Sequence, residues 1–195
     1  MKVFIAVLAL IISLQSWAKA DDIRDFQIEG ISIGDSALDY YSIEIIRSAR
    51  QLNCKNSSLK DCGMYTVIMK PIGMYTGSIH LIFKNNDSNY IIKGVLGTVK
   101  YPNNIYKCYL KQNEISKDFD SLLSNTKRKE FEKAHSADKT GESRNKTIYY
   151  LFNNGDAIYI SCYDWSDKMK NYIDHLRIIL RTKEYRDWLN NKAYK

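Results

Sequence analysis

Apolar and polar positions change period several times along this chain, and each change marks an element. "FQIEGISI" alternates loosely and reads as a first strand closed at Gly34, after which Asp35 and Ser42 are candidate helix caps. Behind Ser42, Ile43, Ile46 and Ala49 of "IEIIRSARQL" share a helical face. From Met64 the period becomes two: Tyr65, Val67 and Met69 fall on one side, Pro71 to Gly73 turn the chain, and Ile79, Leu81 and Phe83 line the next strand. "NNDSN" is a turn, and "YIIKGVLGTVKY" is a third strand weakened by Gly94 and Gly97.

Helical spacing returns at Ile115, Phe119, Leu122 and Leu123. Residues 126 to 146 are almost without apolar content and read as a long polar connection, with a helical extension around Phe131. "TIYYLF" and "AIYISCY", joined through Asn153 to Asp156, form a hairpin. Met169, Tyr172, Ile173, Leu176, Ile179 and Leu180 then predict an amphipathic helix. Thr182 caps a last one, which turns Tyr185, Trp188 and Leu189 inward. Consecutive strands joined by short turns predict an α+β fold: an antiparallel sheet of five or six strands with helices packed on it.

The first twenty residues stand apart from this pattern. Lys2, the run "VFIAVLALIISL" and the small residues around Ala18-Lys19-Ala20 read as a signal peptide cleaved before Asp21. The run is short for a membrane span, and no other apolar stretch is long enough, so no membrane span is expected after cleavage. Residues 21–195 read as a single domain in the periplasm or outside the cell. The full chain carries a net charge of +7 and loses Lys2 and Lys19 with the leader. The remaining basic residues are interspersed with acids, as in "TKRKEFEKAHSADKTGESRNK", which argues against a nucleic-acid partner. The preference for Lys over Arg, with abundant Ile and Asn, is what an AT-rich genome produces.

Four cysteines in an exported chain predict two disulfides, for which three pairings exist. Cys54 and Cys62 bracket the polar loop "CKNSSLKDC", while Cys162 shares the inward face of Ile158 and Ile160, where a link to Cys108 would be sheltered. The preferred set is therefore Cys54 with Cys62 and Cys108 with Cys162.

Two short motifs suggest hydrolase chemistry. "IGDSA" is similar to the first block of the GDSL (SGNH) esterases, which would make Ser36 a nucleophile, although Ala37 replaces that family's leucine. Gly30 to Gly34 also fits G-x-S-x-G around Ser32, but the helix of a nucleophile elbow starts directly after its serine, and here Ile33 and Gly34 intervene. A triad needs a base and an orienting group, and none of His80, His135 or His175 stands beside a partner at diagnostic spacing. The simpler reading makes the glycines turn residues and Asp35 or Ser36 a cap. His135 and Asp138 could supply two metal ligands from one turn, but no fuller metal motif accompanies them, and neither a metal nor a cofactor is expected.

Fifteen tyrosines against six phenylalanines make aromatic contact the other candidate chemistry. Tyr149, Tyr159 and Tyr163 share one hairpin face, which the helices are expected to cover. At the strand end, Tyr163, Asp164 and Trp165 are the ligand-binding candidates.

"DDIRDFQIEGISIGDSALDYYS", "CYDWS" and "TKEYRDWLNNKAY" together resemble a group of uncharacterised exported proteins of Pelagibacter-like marine alphaproteobacteria, over most of the chain from Asp21 onward. The resemblance implies export and a Cys108–Cys162 disulfide, and it implies no activity. The turn followed by a helix is also loosely similar to β-lactamase-inhibitor-like and outer-membrane-assembly lipoprotein folds. The reading is thus a non-catalytic exported protein that binds a ligand or an envelope partner; the alternative is a small serine esterase using Ser36.

Overall fold

A computed structural model describes residues 20–51, 62–70 and 77–193. Residues 1–19 of the predicted leader, Cys54 and the turn from Pro71 to Gly73 lie outside the described residues, whereas Ala20, the last residue of that leader, is buried in the main core. The strands are β1 (Gln27–Ile28), β2 (Ile31–Ser32), β3 (Arg50–Gln51), β4 (Met64–Met69), β5 (Ile79–Lys84), β6 (Gly94–Lys100), β7 (Thr126–Ala134), β8 (Arg144–Phe152), β9 (Ala157–Asp164) and β10 (His175–Arg181). The helices are α1 (Ile43–Ser48), α2 (Ile105–Leu122) and α3 (Lys183–Trp188), the last continued by a π-helical turn, Leu189–Ala193.

The class is α+β, with a larger sheet than the five or six strands expected. Eight strands pair antiparallel in the order β3-β4-β5-β6-β10-β9-β8-β7, and β1 and β2 form a separate two-stranded ribbon. Two meanders, β3 to β6 and β7 to β10, therefore lie side by side and join at β6–β10, with α2 crossing between them. The predicted first strand is in fact the β1–β2 hairpin, because Glu29 and Gly30 both adopt positive φ and reverse the chain in two residues.

Three further segments differ from expectation for physical reasons. Residues 126 to 134 are not a connection but the edge strand β7, paired with β8 from Thr126↔Phe152 to Ala134↔Arg144. Nearly all of its side chains are exposed, so no apolar alternation betrays it. The residues expected as a helix from Met169 to Leu180 end instead in β10, the strand that joins the two meanders between β6 and β9. Buried contacts on both faces erase the two-residue period, and tertiary pairing overrides a helical spacing. Finally, α2 begins at Ile105, well before the predicted apolar stripe, because the Asn104 side chain accepts from Lys107 N and caps it.

One face of the sheet carries the main core. Tyr65, Val67, Leu81, Phe83, Ile158, Ile160, Leu176 and Leu180 point to it, and α2 and the N-terminal segment cover it with Ile115, Phe119, Ile23, Phe26, Ile31 and Ile33. Cys108 on α2 is bonded to Cys162 on β9, with Cα atoms 6.0 Å apart across 54 residues of chain. One turn on, buried Gln112 donates from Nε2 to Ile160 O at 2.7 Å and Lys146 O at 2.9 Å. The Tyr150 hydroxyl reaches up from β8 to Ser116 O (3.0 Å) and Asp120 Oδ1 (2.7 Å). Cys62 is also disulfide-bonded.

The opposite face has only a small core of Met64, Ile82, Tyr185 and Trp188 under α3. Gly94 permits close packing here: a Cβ would lie 3.0 Å from the Tyr185 ring and 3.2 Å from Ile82, and those side chains would have to shift to admit it.

Cross-linking a loop of this length stabilises by about 4 kcal/mol in the chain-entropy model. Replacing Cys108 and Cys162 together by Ser is expected to lower the unfolding free energy by about that amount, read as a reduced urea midpoint with little change in far-UV circular dichroism.

Candidate functional site: the open face of the sheet

Cross-strand partners share a face, so the register reads off what the second side presents. Across its centre run Thr98, Arg177, Ser161, Thr147 and Phe131. The neighbouring row is Lys100, His175, Tyr163, Asn145 and Lys133. On the other side stand Leu96, Ile179, Tyr159, Tyr149 and Lys129, with His80 beside Leu96. The last row holds Gly94, Arg181, Ala157, Leu151 and Lys127. In β4 to β10 no Asp or Glu occupies this face.

The opposite side of the same outer strands shows the contrast. There Arg128 pairs with Asp120 and Glu130, Arg144 with Glu132, and Lys146 with Glu130. On the open face Lys100, Lys127, Lys129, Lys133, Arg177 and Arg181 form no ion pair among the described residues. The helices expected to cover Tyr149, Tyr159 and Tyr163 do not do so: only α3 lies on this side, over one end.

At the centre, the Arg177 guanidinium lies 4.5 Å from the centroid of the Tyr163 ring and donates to the Tyr163 hydroxyl at 3.3 Å. Arg181 is flanked by Tyr159 at 4.7 Å and Tyr185 at 5.6 Å. Aromatic rings hold a guanidinium without neutralising it, so both arginines keep their charge available. Beside Arg177 the rings continue as an arch. His175 stacks on Tyr163 at 4.6 Å, His135 sits 4.4 Å from Trp165, and Trp165 stacks on Tyr172 at 4.2 Å.

Three buried polar atoms in this group have no hydrogen-bond partner: Trp165 Nε1, His175 Nε2 and Arg177 Nε. His175 Nδ1 lies 2.8 Å from Ile173 O, and since a carbonyl only accepts, Nδ1 carries the proton and Nε2 is a bare lone pair. Burial lowers the His175 pKa to about 4, opposed in part by the bond to Ile173 and reinforced by Arg177. His80 falls to about 4 as well, through burial and then Arg177. Its Nε2 lies 3.0 Å from Ser78 Oγ. His135 is lowered for the same two leading reasons. The positive charge of Arg177 thus acts on all three histidines.

Tyr163 and Trp165 belong to this arch, whereas Asp164 points to the other side. There it accepts a long bond from Tyr109 (3.5 Å) and lines, with Trp165, Tyr172 and Asp174, a cleft of about 640 Å³. Burial, and then Asp174 nearby, raises the Asp164 pKa. Burial, and then Asp164, pushes the Tyr109 phenol up to about 12.

The loop that carries His135 is held by Asp138. Its carboxylate accepts from the amide and hydroxyl of Thr140, the amide and hydroxyl of Ser143, and the Ser166 hydroxyl, at 2.7 to 3.1 Å. These bonds, those of the Ser143 side chain first, hold its pKa well below the usual carboxylate range. Asp138 therefore staples the loop to the segment bearing Trp165. No group of three or more potential metal ligands occurs among the described residues.

Ser36 caps the 3₁₀ turn Ala37–Asp39, accepting from Leu38 N and donating to Asn89 O at 2.7 Å. Its segment packs on the covered face through Ile33 and Ala37, while the three histidines lie on the open one. Ser32 is buried and donates to Phe26 O at 3.0 Å. Asp35 accepts from Ser32 N and from the Tyr40 hydroxyl. Both serines are thus engaged with backbone.

Sequence reasoning misses Arg177, Arg181 and the lysines of β7, because the spacing in β10 reads as helical and β7 reads as a connection. The available signal is the sign of the charges: in "TKRKEFEKA", Lys127, Lys129 and Lys133 share one parity and Glu130 and Glu132 the other. The chain matches no protein-family model, no curated protein and no solved structure. No helix among the described residues is long and apolar enough to cross a membrane.

A histidine whose folded pKa is lowered binds its proton later than in the unfolded chain, so stability rises with pH between the two values. From pH 4 to pH 6.5, part of the rise in the urea midpoint is therefore expected to come from His80 and His175. A H80N/H175N double variant should show a shallower rise, and the two imidazoles should titrate near pH 4 by proton NMR.

Proposed function

We propose that this is an exported, non-catalytic binding protein, periplasmic or secreted, whose ligand presents an oxyanion to the open sheet face at Arg177. One observation carries the reading: a half-buried guanidinium in mid-sheet, surrounded by hydroxyls, rings and neutral imidazoles, with no carboxylate opposite it. Removing a charge from water without a counter-charge is costly, and a ligand anion is the partner that recovers that cost. The unpartnered Trp165 Nε1 is a second donor to such a ligand, and His175 Nε2 accepts from any hydroxyl it carries. The Cys108–Cys162 disulfide and the absence of a membrane-crossing helix among the described residues are compatible with export.

Trp165 makes the test direct. Titrating the W188F variant with inorganic phosphate, sulfate and acetate is expected to change Trp165 fluorescence saturably for at least one anion. R177M in the same background should weaken that response at least tenfold, corresponding to about 1.4 kcal/mol. No response to any of them, or an equal response in R177M, would contradict the reading. Fluorophosphonate labelling that disappears in Ser36→Ala would establish the esterase instead.

A further inference from the structure

We infer that the open face continues outward from Arg177 as a track for an acidic polysaccharide, with the lysines of β7 as its outer contacts. This rests on the binding reading above and extends it from one oxyanion to a chain of them. Lys127, Lys129 and Lys133 project from one side of β7, exposed and without ion pairs among the described residues, while Glu130 and Glu132 on its other side are engaged with cations.

Alternate residues of a strand lie about 6.6 Å apart, and strands about 4.8 Å apart, so this outer file stands roughly 14 Å from the inner file of Arg177 and Arg181. Charged side chains on an edge strand also deter edge-to-edge pairing, but that role needs no particular sign on either face. Cations stand on both faces, Arg128 beside Glu130 and Glu132, but the acids are confined to one; that confinement does need a cause, and a polyanion lying across β7 to β10 provides one.

The surface between the two files separates sugars from other polyanions. Tyr149 and Tyr159 pack against one another at 4.8 Å with their planes tilted by 40°, so they form one joint ring cluster rather than separate parallel platforms for successive bases. Beneath the neighbouring row, Thr147 Oγ1 bonds Ser161 Oγ at 2.8 Å and Asn145 Oδ1 at 2.7 Å, which makes a closed polar floor. Phe131, 41 % exposed, is the single large apolar side chain standing out among the lysines. One ring can stack on the apolar face of a sugar, but it does not make the continuous apolar face by which proteins enter a lipid surface.

The test uses the mature chain, heparin and polygalacturonate as sulfated and carboxylated probes, oligothymidylate, and vesicles containing anionic lipid. Wild type is expected to bind at least one polysaccharide, with affinity falling as salt rises. K127Q/K129Q/K133Q should weaken binding roughly tenfold while leaving the Trp165 response to small anions intact. If that triple variant binds polysaccharide like wild type, the track is wrong, although the Arg177 site stands. Equal or tighter binding of oligothymidylate or vesicles overturns the choice of a glycan. Failure of every polyanion to bind overturns the track while the small-anion response still reports on Arg177.

Discussion

Docking of α2 across β9 and β10 is the constraint on which the rest of the molecule depends. The helix is tied at Cys108–Cys162, keyed by Gln112 to the carbonyls of Ile160 and Lys146, and met from below by Tyr150. An 18-residue helix is about 27 Å long and covers only part of an eight-stranded sheet. The N-terminal segment completes the cover on the same side, with β1, β2 and the turns around Gly34 and Ser36 laid over β4 to β6. What remains for the other side is α3 and one short π-helical turn. Loops and long side chains supply the rest of the cover there, since Thr147, Ser161, Tyr163 and Ile179 are buried with no helix over them, and that face is where arginines, lysines and histidines collect.

The charge pattern follows from the same asymmetry. Under α2 and along its flank, acids and bases pair, as Arg128 does with Asp120 of the helix. On the open side no packed element brings a carboxylate to Arg177 or Arg181, and rings hold them in place instead. His80 and His175 are neutral chiefly through burial, with the nearby positive charge of Arg177 acting in the same direction. The carboxylates on this side are engaged elsewhere: Glu184 and Asp187 of α3 with lysines, and Asp138 in ordering its own loop.

The hydrolase-like letters show how backbone geometry can imitate chemistry. Gly30 and Gly34 both have positive φ, and Ser36 satisfies the amide of a 3₁₀ turn, as the simpler reading of "GISIGDS" requires. Tyr163 and Trp165 are legible as candidates because aromatic residues stand at the end of a clearly alternating strand. Their neighbours in the arch are not: His135 is distant from Tyr163 along the chain, and the local spacing around Arg177 is helical. Only the pairing of β9 with β10 puts Tyr163 opposite His175.

By itself, the sequence determined the α+β class, the meander from Met64 to Lys100, the β8–β9 hairpin and the inward direction of Cys162, because in each case one face is apolar and the other polar, and local period reports that directly. Tertiary structure decided the nature of β7 and β10. β7 is exposed on both sides and β10 is packed between two strands, so neither has the one-sided burial that writes a period into a sequence. Those two strands are also the ones that bring the cations together, which is why the candidate site became visible only once the chain had folded.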